Sequence, residues 1–209
     1  MSDQFTPLFI TLLVVIDPIG MAPMFLALTR GSSLGYQRRM ACKGVALATA
    51  ILLFFAFTGD ALLRFLGISL PAFKIAGGVL LFLLAIDMVF ARHFGLRSAT
   101  REEQEEAHSR EDISAFPLAF PLIAGPGALT TILLTTSGSR HDPWLFAGML
   151  GILLVVLFMT LGCLLLAPWL TKLVGETGAG VVDRLLGLIL VALAVQFMVE
   201  GVRASFFNP

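Results

Sequence analysis

Six apolar blocks, each long enough to cross a bilayer as a helix, constrain this chain more than any other feature. They lie near 5–29, 42–66, 69–91, 113–137, 143–170 and 179–203. A helix needs about 20 predominantly apolar residues to cross a hydrocarbon core about 30 Å thick. In lipid, every backbone N–H and C=O must find its partner inside the protein, so such blocks read as helices. Only 13% of the residues are charged while 57% are hydrophobic, whereas soluble domains carry about 25% charged residues. The chain is therefore expected to be an all-α, six-span protein whose principal surroundings are the lipid bilayer.

Several function classes fall away on composition and missing motifs. The formal net charge is zero and no basic tract occurs, which argues against nucleic acid as a partner. No G-x-x-x-x-G-K-[ST] sequence is present to hold ATP, and no H-E-x-x-H or Cys/His cluster to hold a metal. Asp17 and Asp87 lack the Gly-x-Gly-Asp setting of an intramembrane aspartyl protease, so the chain is not expected to be an enzyme. Cys42 and Cys163 sit in or beside apolar runs and are expected to be buried bystanders. The opening Met1-Ser2-Asp3-Gln4 carries no basic residue, so the first block is expected to be a retained span and not a signal peptide.

Lys and Arg set the orientation, because basic residues stay on the cytoplasmic side. Ten fall in the connections after spans one and five and in the central linker, against four on the other side. Both termini are thus expected outside, in the periplasm of a Gram-negative cell. The linker, 92–112, holds Arg97, Arg101 and Arg110 among the acids Glu102, Glu103, Glu105, Glu106, Glu111 and Asp112. Thr100 with Glu103 forms a capping-box pattern, consistent with a short surface helix. The expected organisation is a three-helix unit at 1–91, this charged cytoplasmic linker, and a second three-helix unit at 113–209.

The two units share landmarks. Asp17-Pro18-Ile19-Gly20 interrupts the middle of span one and Gly125-Pro126-Gly127 the middle of span four, with the prolines 108 residues apart. Lys74-Ile75-Ala76-Gly77 opens span three much as Arg184-Leu185-Leu186-Gly187 opens span six, and Met88 then matches Met198. Three spans per unit is an odd number, so the second unit enters the membrane inverted. Inverted repeats with helices broken at the midplane are the recurrent architecture of secondary transporters.

A proline within a helix removes a donor and clashes with the carbonyl one turn earlier, and neighbouring glycines let the backbone unwind. Freed helix ends attract small polar solutes: N-termini favour carboxylates and C-termini favour cations. Asp17 is an acid near the bilayer centre, which makes it a candidate for proton coupling or for pairing with an ammonium. It also suits the N-cap of a half-helix starting at Pro18. The candidate solute-binding residues are Asp17, Pro18, Ile19, Gly20, Gly125, Pro126, Gly127, Thr130, Thr131 and Gln196, with Asp17 also the candidate for coupling. Asp87 and Glu200 lie nearer the span ends and read as interfacial charges.

Asp17-Pro18-Ile19-Gly20 with Pro23, Phe25, Leu26 and Thr29 resembles the first-span signature of the MarC family. Phe116-Pro117-Leu118-Ala119 followed by Pro121-Leu122-Ile123-Ala124-Gly125-Pro126-Gly127-Ala128 resembles its fourth-span signature. The resemblance runs over nearly the whole chain. It implies a six-span inner-membrane protein of bacteria or archaea, and members resembling SnatA are described as transporters of small neutral amino acids such as glycine and alanine. The implied partner is then a small neutral amino acid, with no cofactor and with H+ or Na+ left open as coupling ion. The alternative is a non-transporting membrane protein that acts through a partner in envelope stress or antibiotic response. Gly44, Gly77, Gly78, Gly148 and Gly151 suit tight helix packing, within one protomer or in a homo-oligomer.

Overall fold

The computed structural model describes residues 2–90, 112–137 and 142–206, and every regular element among them is helical. The charged linker, the Thr100 capping box within it and the Arg140 loop lie outside the described residues, apart from Asp112. In chain order the elements are α1 (Ser2–Ile16), α2 (Pro18–Leu28), α3 (Leu34–Phe65), α4 (Leu70–Val89), a wide coil α5 (Ser114–Ile123), α6 (Pro126–Ser137), α7 (Pro143–Leu165) and α8 (Ala167–Phe206). Five helical stretches are long and apolar enough to cross a membrane, and α5 with α6, bent by 58°, makes a sixth.

Short polar caps set where the helices start. Ser33 accepts a hydrogen bond from Tyr36 N, Ser69 from Ala72 N, and Asp142 from Trp144 N and Leu145 N. Each satisfies donors that the first helical turn leaves without partners. Pro71 and Pro143 stand in first turns, where a missing N–H costs nothing. The Ser33 cap explains why α3 starts eight residues ahead of the apolar block expected at 42. Tyr36, Gln37, Arg38 and Arg39 make the first two turns polar, outside the apolar stretch. At the other end of the chain, Gly175 takes φ 69°, a conformation that costs a glycine little. It divides a short piece after α7 from the membrane-length stretch Gly180–Phe206.

Glycines set how closely the helices approach. A Cβ placed on Gly78 of α4 would lie 2.6 Å from Met198 Cγ and 2.8 Å from Ala194 O. On Gly187 of α8 it would lie 3.0 Å from Met88 Cβ, and on Gly201 2.8 Å from Pro71 O. Residue numbers rise on α4 as they fall on α8, so the two helices run antiparallel in backbone contact. Gly44 and Gly59 of α3 lie against Leu118 and Leu133. Both numbers rise together there, so α3 runs parallel to α5–α6. Span one, joined to α3 by the short connection 29–33, is antiparallel to both.

Buried side chains such as Leu12, Ile16, Phe25, Leu52, Leu81, Ile123 and Leu153 fill the interior, while Phe54, Phe57, Phe158, Leu185 and Leu188 are exposed. Apolar exposure of this kind is what a lipid-facing surface requires. Trp144 in the first turn of α7 is 82% exposed, and Trp169, just beyond its end, 61%. They flank α7, whose 23 residues span about 35 Å, matching aromatic residues at the two membrane–water interfaces. Cys42 is exposed on α3 and Cys163 is half-buried, which corrects the expectation that both are buried; Cys42 belongs to the outward face of its helix.

Two ion pairs tie elements together at opposite ends of the bundle. Lys43, in the third turn of α3, pairs with Asp112 just before α5. Lys74, in the second turn of α4, pairs with Glu200 of α8 at 3.0 Å. A third pair, Arg64 with Asp60 at 2.8 Å, stays within α3.

Candidate functional site

Span one leaves the helix at a single residue. Asp17 has φ 49° and ψ 70°, in the left-handed region, and its carboxylate accepts a hydrogen bond from Gly20 N at 3.0 Å. Asp is one of the few side chains tolerated there, because it bonds locally. Asp17 N bonds to Leu13 O at 2.9 Å and Met21 N to Asp17 O at 3.1 Å, so the helical ladder resumes at once. The interruption is one residue long rather than an unwound stretch of several. Asp17 is 2% exposed, and Cys163 of α7 lies within its electrostatic reach.

Span four departs further from a helix than a Gly-Pro-Gly kink requires. Phe116 and Phe120 are extended, at φ near −134° and ψ near 130°, and each precedes a cis proline. A residue before proline is pushed toward extended backbone, and Pro117 and Pro121 supply no N–H to a helical ladder. The segment is instead held by bonds spanning five residues, Leu118 N to Ile113 O and Ala124 N to Ala119 O. At its end Gly125 sits so close to the Pro121 carbonyl that a Cβ would collide with it. From there α6 begins, with Leu129 N bonded to Gly125 O at 3.0 Å.

The two interruptions adjoin. A Cβ on Gly127 would lie 3.0 Å from Val15 Cγ1 and 2.8 Å from Leu81 Cδ2. A narrow cleft, with room for little more than a water molecule, lies here, lined by Val15, Leu80 and Leu84 and by Pro121, Leu122, Ile123, Gly125, Pro126, Gly127 and Ala128. Gly125, Pro126 and Gly127 are therefore cleft residues, and Asp17 lies two residues beyond the Val15 wall. Pro18 and Gly20 are buried in the first turn of α2.

The remaining candidates divide. Thr130 is buried with its side chain against Gly77 of α4, so close packing accounts for its position. Thr131 is fully buried, and its Oγ1 has no hydrogen-bond partner. The other α6 hydroxyls at Thr135, Thr136 and Ser137 each bond the carbonyl four residues back at 2.6–2.7 Å. Ile19 is 39% exposed and does not line the cleft. Gln196 is exposed, away from the cleft walls, and donates to Glu200 Oε1 at 2.8 Å. That replaces the expectation that Gln196 is a deep site residue: it belongs to the Lys74–Glu200 pair. Val15, Leu80 and Leu84 carry no sequence mark, but the tandem Phe-Pro-Leu at 116–118 and 120–122 was a readable sign that this half of span four is not α-helical.

Outside the spans, the Asp112 carboxyl is held down at about 2 by hydrogen bonds from Lys43 and then from the Ser114 side chain and backbone. This pins the entry of span four to α3.

A bundle with five helices long and apolar enough to cross a membrane, and a sixth span if the bent α5–α6 pair counts as one, defines an integral membrane protein. The sequence matches the family described as MarC family integral membrane protein over residues 2–206. This chain belongs to the MarC family. It is 38% identical over 203 residues to the UPF0056 membrane protein MJ1677 of Methanocaldococcus jannaschii, covering 97% of this chain and 98% of that one. To the UPF0056 membrane protein YhcE of Escherichia coli (strain K12) it is 32% identical, covering 95% and 91%. A UPF0056 membrane protein of Aquifex aeolicus is 35% identical, covering 95% and 92%. No solved structure matches.

Proposed function

We propose that this chain is a secondary transporter of small neutral amino acids such as glycine and alanine, with the solute bound where the interruptions of spans one and four adjoin. The observation that carries the reading is the contact of Val15 with Gly127. It brings the start of α6 to one small cleft, with the buried Asp17 two residues beyond the Val15 wall. Backbone of this kind at membrane depth is tolerated where it is buried in protein or lines a polar cavity. The cleft walls are apolar and close, which suits a solute with little side chain. Asp17 is the proton-coupling group in this reading, since an acid buried among spans is costly unless it serves a function.

Two features support an inverted repeat behind the site. Gly78 packs on Met198 and Gly187 packs on Met88, and an offset of 110 exchanges these contacts to within one residue. Reciprocity of this kind is what a two-fold relation between like halves requires. The distribution of Lys and Arg supports placement in a bacterial inner membrane with both termini periplasmic.

The test is thermal stabilisation of the purified protein by a panel of amino acids, followed by uptake into proteoliposomes with imposed H+ or Na+ gradients. Stabilisation by glycine or alanine that Gly125→Leu removes, together with gradient-driven uptake, is the expected result. A folded protein with a flat panel and no flux refutes the transporter reading and favours action through a protein partner.

A further inference from the structure

The two ends of α3 treat their cations differently. Arg64, 78% exposed in the last turn, has Asp60 one turn away at 2.8 Å. At the other end Arg38 and Arg39 are exposed, and Asp60 is the one acid in the whole helix. No acid therefore lies three or four residues from either arginine, which is the reach of a pair along one helix. Among the described residues, neither side chain has an ion-pair or hydrogen-bond partner. Lys43, one turn beyond Arg39, is already paired with Asp112. Arg30 is a third exposed cation at this level. Gln37 Nε2 donates to Thr29 O at 3.5 Å and holds the connection before α3 beside its start.

The face on which Arg38 stands is the one that meets lipid. It opens a run at helical spacing, Cys42, Ala46, Ala50, Phe54 and Phe57, and every one of these is exposed. Residues three or four apart share a helix face. Ala41, Val45, Ala48 and Leu52 are buried and turn the other face to the bundle. The apolar block of this span opens at 42, so Arg38 stands about 6 Å beyond it along the helix axis. The headgroup layer on each side of the hydrocarbon core is about 5–7 Å deep. Arg38 and Arg39 are therefore level with lipid phosphates, on the side of the bundle that lipids occupy. A guanidinium presents a planar fork of donors that matches phosphate oxygens, and it stays charged at any physiological pH.

We propose that Arg38 and Arg39, with Arg30 beside them, form a binding surface for the headgroup phosphates of anionic phospholipids. A zwitterionic headgroup brings its own ammonium, which neighbouring arginines repel. An anionic headgroup brings the charge that α3 supplies for Arg64 and not for Arg38 or Arg39. The surface is separate from the cleft and independent of any transported solute.

The chain has two cysteines, and one of them supplies the probe. In a Cys163→Ser background, a bimane label on Cys42 is one turn from Arg38 on the same face. The labelled full-length protein is reconstituted in phosphatidylcholine vesicles. Quenching is then titrated with phosphatidylglycerol or phosphatidylcholine carrying a spin label near the headgroup. The phosphatidylglycerol is expected to associate more strongly by about 3- to 10-fold. That preference is expected to fall toward unity in about 1 M salt and in Arg38→Gln/Arg39→Gln, and to persist in Arg64→Gln. Equal quenching by the two lipids in wild type overturns the proposal. So does a preference that survives high salt or Arg38→Gln/Arg39→Gln, or one that Arg64→Gln removes as well. Loss of the preference when inorganic phosphate replaces chloride at constant ionic strength also overturns it, because the surface would then serve soluble anions.

Discussion

Gly78→Ala is the sharpest test of the contact that holds the two halves together. The added Cβ would lie 2.6 Å from Met198 Cγ, 2.8 Å from Ala194 O and 3.1 Å from Met198 N. The methionine side chain can swing aside, but the other two atoms belong to the α8 backbone. Relief requires α8 to retreat by roughly half an ångström, loosening the neighbouring contacts at Gly187 and Gly201 as well. Forced overpacking of this kind costs about 1–3 kcal/mol. Alanine also favours a helix over glycine by about 0.5–1 kcal/mol, so the control must carry the same gain. Gly151→Ala in α7 does, since nothing lies within 4 Å of its Cβ position. The expected difference between the two variants is thus about 1–3 kcal/mol against Gly78→Ala, measured by reversible unfolding in mixed detergent. Equal stability of the two would mean that α4 and α8 are not in backbone contact, and the packing argument would fail.

The Lys43–Asp112 pair gives a pH signature. Asp112 titrates at about 2 in the fold against an ordinary 3.8, so its contribution is complete above about pH 4 and is lost as pH falls toward 2. With both side chains nearly half exposed, Asp112→Asn should cost no more than about 1 kcal/mol at neutral pH. A melting-temperature gap between variant and wild type that persists unchanged at pH 2 contradicts this. For Lys74–Glu200, Lys74→Glu should lower stability and the added Glu200→Lys should restore it, with an effect of at most about 1 kcal/mol; no recovery in the double variant would remove the pair as a link between α4 and α8. Under the transporter reading, Leu84→Ala enlarges the cleft wall and should raise uptake of valine relative to alanine on the order of tenfold. An unchanged ratio in proteoliposomes would take Leu84 out of the solute's path.

The spans were legible because a bilayer demands long apolar blocks, and this requirement survives any rearrangement of packing. Their ends were less so. The first two turns of α3 are polar and helical because Ser33 caps them, and hydropathy does not register a cap. Asp17 as the cap of α2 was readable from Asp-Pro alone, since that pair suits an N-cap and first helical position. Span four was harder. Gly-Pro-Gly announced one break, whereas Phe116 and Phe120 add two more extended residues ahead of it. Thr130 and Thr131 illustrate a limit of another kind: adjacent identical residues, one packed against Gly77 and the other holding an unpartnered hydroxyl. Only the packing around α6 separates them. Gln196 is deep in its span, but depth does not fix orientation into the bundle, and its side chain turns to Glu200 instead.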